Sequence, residues 1–218
     1  MNRNNSSRRV GMPLALAAAA AGLTLSTVNP AEPTHEDFGR RLEVTSTTFT
    51  DHTTLPLSTI DTIVSNGLNS CTADGSPGGD ESPQLQWTHV PRGTRSFVVI
   101  LYDPTAAFTH WGMYNIAAAT RTLPPNAGVA GSQSGTQVNN DFGDPHYDGP
   151  CPPMGVEPDT HRYVFTVYAL DTELRLHSSA NFPANAETLY HALIRAGRDG
   201  HILASGRITG LFSSTPAN

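Results

Sequence analysis

Apolar residues along this chain fall into short blocks with a period of two or none, and only one block has helical spacing. SFVVILYD (96–103) is the most apolar run beyond the N-terminal segment. Its unbroken β-branched character predicts a strand covered on both faces. It closes at Asp103-Pro104, because proline cannot donate to a ladder. RLEVTSTTF (41–49) and STIDTIV (58–64) predict two further strands. QLQWTHV (84–90) alternates, with Leu85, Trp87 and His89 on one face. THWGMYNIA (109–117), RYVFTVYAL (162–170) and HILASGRITGLF (201–212) complete the set. NSCTADGSPGGDESP (69–83) is dense in turn residues and predicts a long loop. NAETLYHALIRAG (185–197) predicts the helix, with Asn185 as N-cap, Glu187 in the first turn and Gly197 as the stop. Leu189, Leu193 and Ala196 lie along one stripe of it. Many short strands, long Gly/Pro loops and one late helix imply an all-β sandwich with a helical appendage. There is no βαβ alternation, no tandem repeat and no glycine-rich nucleotide loop.

The first residues follow a different pattern. Arg3, Arg8 and Arg9 precede MPLALAAAAAGLTL (12–25), and small residues follow. This is the layout of an export signal, expected over residues 1–31 with cleavage between Ser26 and Ala31. Arg8-Arg9 resembles a twin-arginine signal. The remaining residues, 32–218, are expected to form a single domain, secreted or periplasmic. The formal net charge is −6. Removing three arginines makes it −6 − 3 = −9 for the mature chain. All 13 basic residues are arginine, and none cluster beyond the N-terminus. Nucleic acid and anionic membrane surfaces, which need a basic face, are excluded as main partners. In an oxidising compartment the pair Cys71 and Cys151 favours a disulfide, with two reduced buried thiols as the alternative.

Alternation identifies the candidate chemistry. His161, Tyr163, Phe165 and Val167 share a face, while Arg162 points away from it. Phe97, Val99, Leu101 and Asp103 share another, with the acid last. His110 falls on one face with Gly112, Tyr114 and Ile116. Three strands therefore carry a polar residue at the end of an otherwise apolar face. Together they offer Asp103, His110, His161 and Tyr163 to one concave site, walled by Pro150 to Pro153. Tyrosine and histidine donors suit a small anion, and Asp103 would fix a histidine tautomer. Each residue also has an ordinary reading: a rim histidine, a turn-initiating aspartate, a core tyrosine with a wet hydroxyl. Trp87 and Trp111 read as packing, and His146 and Tyr147 as exposed loop residues. GSQSG (131–135) lacks the spacing of a nucleophile elbow. The spacings that deliver metal ligands are missing, and so are paired carboxylates. No cofactor and no metal is expected.

These residues carry a resemblance. SPQLQW, VPRGTRSFVVILYDP, HWGMYNI, NNDFGDPHYDGPCPP and HRYVFTVYALD stand in order between residues 82 and 212. The chain resembles the phosphatidylethanolamine-binding proteins, also called Raf kinase inhibitor-like proteins, and most closely their bacterial branch. The resemblance implies an antiparallel β-sandwich of two sheets with a C-terminal helix and long loops. It implies a pocket for phosphate-like anions made by Asp103, His110, the Cys151-Pro152-Pro153 backbone, His161 and Tyr163. The family's D-P-D-x-P reads DPTAA here, with Thr105 in place of the second acid and Ala107 in place of the proline. Phe108 stands where a tryptophan is common. GSPGG (75–79) and VEPDT (156–160) look like loop expansions near the site. The expectation is an exported, non-enzymatic module that binds a small anion, a phosphate ester or lipid head group, with a regulatory role. The alternative is a protein inhibitor of an exported protease or of a kinase. An enzyme using His110 or His161 as general base ranks last. Asp103→Ala or His161→Ala is expected to abolish binding and spare the fold.

Overall fold

The strand with no polar break lies at the centre. In the computed structural model, which describes residues 41–215, β6 (Ser96–Asp103) pairs antiparallel with both β7 (Phe108–Ala117) and β10 (His161–Leu170). Phe97, Val99 and Leu101 enter one apolar cluster; Val98 and Ile100 enter a second. Successive side chains point to opposite faces, so β6 is covered on both, as its sequence predicts. The described residues belong to one unit, Pro33–Asn218. The expected export signal lies outside the described residues.

The main sheet runs β2-β11-β10-β6-β7-β9, with β2 (Thr53–Thr54), β9 (Thr136–Gln137) and β11 (Ile202–Phe212). A second sheet, β1-β5-β8, comprises β1 (Glu43–Thr45), β5 (Leu85–Thr88) and β8 (Thr122–Leu123). Between the sheets pack Val44, Leu85, Trp87, Phe97, Trp111 and Phe165, with the Trp87 and Phe97 rings 5.2 Å apart. The helix α1 (Ala186–Arg198) covers the other face of the main sheet through Leu189, Ala192, Leu193 and Ala196. Each buried leucine contributes about 2 kcal/mol. The Asn185–Thr188 capping box, about 1 kcal/mol, sets where the helix starts; its apolar face sets where it docks. The fold is an all-β sandwich with a C-terminal helix. One short pair, β2 with β11, is parallel. A separate hairpin joins β3 (Val64–Ser65) to β4 (Leu68–Asn69).

Several expected boundaries move for local reasons. The strand expected over 58–64 is instead a 3-10 turn at Leu57–Thr59, held by the Thr59 hydroxyl donating to the Pro56 carbonyl. Its backbone bonds to the 79–81 loop rather than to a sheet. The first strand stops at Thr45, because the Thr47 amide bonds to the Gln84 side chain instead of a neighbouring strand. His89 takes φ +59°, leaves the alternation and is exposed. The helix runs past Gly197 to Arg198, with Asp199 as its C-cap; Gly200, at φ +79°, makes the turn.

β7 departs from alternation twice. Leu101 pairs with Trp111 and Tyr102 with Thr109, which leaves His110 as an extra residue. Phe97 pairs with Ile116 and Val99 with Met113, which places Tyr114 and Asn115 opposite Val98 alone. Both are β-bulges. Trp111, Met113 and Ile116 therefore face the core between the sheets, and Tyr114 packs on the helix side. The expected face of His110, Gly112, Tyr114 and Ile116 does not exist.

Candidate anion-binding site

Four polar side chains meet at one end of the sandwich core. Asp103 (1% exposed), His110 (4%), His161 (6%) and Tyr163 (1%) are all buried. Asp103 Oδ1 accepts from the Thr105 and Ala106 amides at 2.7 and 3.2 Å, closing the turn after β6. Its Oδ2 accepts from His161 Nδ1 at 2.6 Å. His161 opens β10, and two residues on Tyr163 stacks against it with centroids 6.4 Å apart. His110 meets Tyr163 edge-on from the other side, at 5.3 Å. It gets there through the bulge: strict alternation would have turned it toward the helix. Its Nδ1 donates to the Asp148 carbonyl at 3.0 Å, and the Asp148 amide donates back to the His110 carbonyl at 3.2 Å.

Alternation thus placed His161, Tyr163 and Asp103 correctly and reached His110 by the wrong route. Of the expected wall, Pro150 and Pro152 are buried, Cys151 is half-buried and bonded to Cys71, and Pro153 is exposed. Pro150 follows directly on the Asp148–Gly149 segment that holds His110. Arg162 is exposed, and its amide donates to the Thr105 hydroxyl at 3.2 Å. The threonine that replaces the second acid therefore ties the Asp103 turn to β10. Phe108 packs on His110 at 5.0 Å and on Phe142 at 4.7 Å, giving the site an aromatic flank.

Residues 45–213 match the family model described as phosphatidylethanolamine-binding protein. The chain belongs to the phosphatidylethanolamine-binding protein family. The Escherichia coli UPF0098 protein YbhB is 42% identical over 146 residues, covering 64% of this chain and 85% of that protein. The crystal structure of E. coli YbcL, described as a member of this family, superposes with a TM-score of 0.63 at 30% identity, over 80% of this chain and 99% of YbcL. The Chlamydia trachomatis homologue CT736 gives 0.58 at 26% identity, over 79% of this chain and 97% of its own. Among the described residues no helix is long and apolar enough to cross a membrane.

Two supports of this cluster went unseen in the sequence. The first is Asn140. Its side-chain oxygen accepts from the amides of Phe142, Gly143 and Asp144. Its amide group donates to the His110 and His146 carbonyls and to Asp148 Oδ2. One buried asparagine thereby shapes the 140–148 loop and fixes the His110 backbone. An Asn ahead of D-F-G-D was a turn signal, but nothing in the sequence says that the turn closes on β7. The second support is segment 57–81. The Asp61 amide donates to the Pro150 carbonyl at 3.2 Å, and the Gly149 amide to Asp80 Oδ1 at 2.7 Å. The Tyr147 hydroxyl donates to the Thr59 carbonyl at 2.8 Å. Tyr147, expected in solvent, is buried; His146 is half-buried. Cys71 and Cys151 are disulfide-bonded, closing 80 residues of chain. The approach is close: a Cβ on Gly149 would sit 2.2 Å from the Thr59 oxygen. The 75–79 expansion packs behind the wall, with the Gly79 amide donating to Leu57, rather than at its mouth.

Asp61, Asp80 and Asp148 gather behind the wall. Burial raises the pKa of all three, and their mutual repulsion adds to the rise at Asp61 and Asp80. Asp80 is pushed up to about 7. Asp144, His146 and Asp148 bring one ligand atom each within 4.8 Å of one another, but Asn140 occupies Asp148 Oδ2. Asp61 lies as close to the two cysteine sulfurs, which the disulfide removes as thiolate ligands.

The Asp80 proton is held more tightly in the folded state than in the unfolded chain, where aspartate ionises near pH ~4. Folding stability therefore declines as pH rises from about 4 to about 7 and stays low above that. Asp80→Asn keeps an acceptor for the Gly149 amide and removes the charge. We expect it to raise the melting temperature at pH 8 by several degrees and to change it little at pH 4. Equal gains at both pH values contradict the assignment.

Proposed function

We propose that this protein is an exported binding module that captures a small oxyanion, a phosphate ester or lipid head group, between His110, His161 and Tyr163. The observation that carries the reading is that these three buried side chains meet in one cluster. His110 and His161 meet Asp148 and Asp103 through Nδ1, which turns Nε2 of each ring, with the Tyr163 hydroxyl, toward a ligand in this reading. Trp87 Nε1 is the one wholly buried side-chain nitrogen or oxygen without a partner among those residues. His110, His161 and Tyr163 contribute no wholly buried, unpartnered side-chain atom among the described residues. Burial and the Asp103 charge both raise the Tyr163 pKa, so the phenol keeps its proton and donates.

Membership of the phosphatidylethanolamine-binding family supports a ligand-binding role. The Cys71–Cys151 bond supports an oxidising compartment, as the N-terminal sequence does. The wall's acids repel anions at long range, so capture is a contact event rather than a steered one.

Calorimetry with methyl phosphate tests the reading. Tyr163→Phe removes one donor without opening a cavity and is expected to weaken binding roughly tenfold, the value of one hydrogen bond to a charged group. Unchanged affinity in this variant removes Tyr163 from the site, and absence of binding by the native protein removes the function.

A further inference from the structure

We propose that this pocket takes its oxyanion only together with a proton, and so selects a hydroxyl-bearing phosphate ester over a sulfate ester of the same shape and charge. The inference deepens the anion-binding reading and rests on it. It follows from what each imidazole already holds. His161 Nδ1 lies 2.6 Å from Asp103 Oδ2, and the other oxygen of that carboxylate is taken by two backbone amides. An ionised carboxylate only accepts, so the ring proton sits on Nδ1. His110 Nδ1 lies 3.0 Å from the Asp148 carbonyl, which also only accepts, so its proton sits on Nδ1 too. In the neutral state each ring then presents a lone pair at Nε2. Tyr163, in ring contact with both, supplies a neutral donor beside them.

A fully deprotonated oxyanion would meet the two imidazole lone pairs beside the Tyr163 donor. An anion with its own hydroxyl donates into one Nε2 and accepts from Tyr163. Where the ligand arrives without that proton, an imidazole must take one up, since imidazolium donates from both nitrogens. The groups facing His110 are Asp103 from the end of β6, Asp141 and the Asp148–Gly149 backbone from the loops, and Tyr163 from β10. Those facing His161 are Asp103 and Tyr163; the Arg162 side chain is exposed. Burial lowers the His110 pKa against the pull of these acids, which keeps that ring neutral and its Nε2 an acceptor.

Methyl phosphate and methyl sulfate separate the cases. The former loses its second proton with a pKa near ~6; the latter carries a single negative charge and no proton. Calorimetry of the native domain at pH 6 and pH 8, in buffers of differing ionisation heat, reads both affinity and proton uptake. We expect methyl phosphate to bind at least about tenfold tighter than methyl sulfate at pH 6, the value of one charge-assisted hydrogen bond. At pH 8 its binding should take up close to one proton. Its affinity should fall about tenfold per pH unit above pH ~7, as its free proton is lost. Asp103→Asn supplies the second arm. Its oxygen keeps the two backbone amides, and its amide group donates to His161 Nδ1, which moves the ring proton to Nε2. The methyl phosphate preference should then shrink about tenfold, a change that simple loosening of the site would not produce. Equal affinities for the two esters, or binding at pH 8 without proton uptake, overturn the proton requirement and leave the anion site standing. If neither ester binds, the site reading and this inference fall together.

Discussion

His161→Ala is expected to abolish measurable methyl phosphate binding and to lower stability by roughly 3–5 kcal/mol, the cost of leaving a buried carboxylate without its partner. The side chains of His161 and Asp103 are 8% and 2% exposed, so solvent cannot replace the lost partner. Asp103 Oδ2 would lose the His161 donor it holds at 2.6 Å. By about 2–4 °C per kcal/mol for a domain of this size, the melting temperature should drop by roughly 10 °C. Alternation alone implied that such a variant spares the fold; the burial of the pair predicts a loss of stability. Asp103→Ala is worse still, because it strips an acceptor from His161 and from the Thr105 and Ala106 amides, undoing the turn after β6. Calorimetry and thermal melts at pH 7 read both effects. Full affinity in a folded His161→Ala protein would leave the ligand elsewhere on the molecule.

The parts of this site that were legible in the sequence are those set by local periodicity. β10 keeps strict alternation against β11 from His161 to Ala169, so His161 and Tyr163 could be placed on the core face and Arg162 outside it. β6 ends where Pro104 forbids a further ladder bond, which put Asp103 at the rim. β7 was misread because a bulge adds one residue without leaving a sequence mark: His110 is neither glycine nor proline, and no local preference distinguishes it from Thr109. The register of β6 against β7, a tertiary property, decides which face it takes. The 57–81 clamp was hidden for a related reason. Apart from the Asp80 carboxylate and Cys71, it meets the wall through the Asp61 amide and the Thr59 carbonyl, and backbone groups have the same chemistry at every residue. Tyr147 looked like a loop residue because the loop is polar; its burial depends on a Thr59 carbonyl 88 residues away. Cys71 was the one local sign that this segment and the wall meet.

Removing the disulfide by Cys71→Ala with Cys151→Ala is expected to cost roughly 4 kcal/mol. In the chain-entropy account, a cross-link spanning 80 residues restrains the unfolded chain by about that amount. The melting temperature should fall by roughly 10 °C, and the native protein should lose a similar amount in strong reductant. Binding should suffer separately from stability. The wall segment 147–151 is tied to segment 57–81 at four points: the Tyr147 hydroxyl, the Gly149 amide, the Pro150 carbonyl and Cys151. Only the last is covalent. On the partner side, Cys71 is itself anchored, its carbonyl accepting from the buried Ser214 hydroxyl at 2.8 Å. His110 hangs from the same wall through the Asp148 carbonyl, so freedom gained at Cys151 reaches the imidazole that faces the ligand. At a temperature where the bridge-free variant is still folded, methyl phosphate should bind more weakly and with a larger entropic penalty than in the native protein. An unchanged melting temperature would show that the unfolded chain is restrained by something other than the bridge. Unchanged affinity with a lowered melting temperature would show that the three hydrogen-bonded ties hold the wall alone.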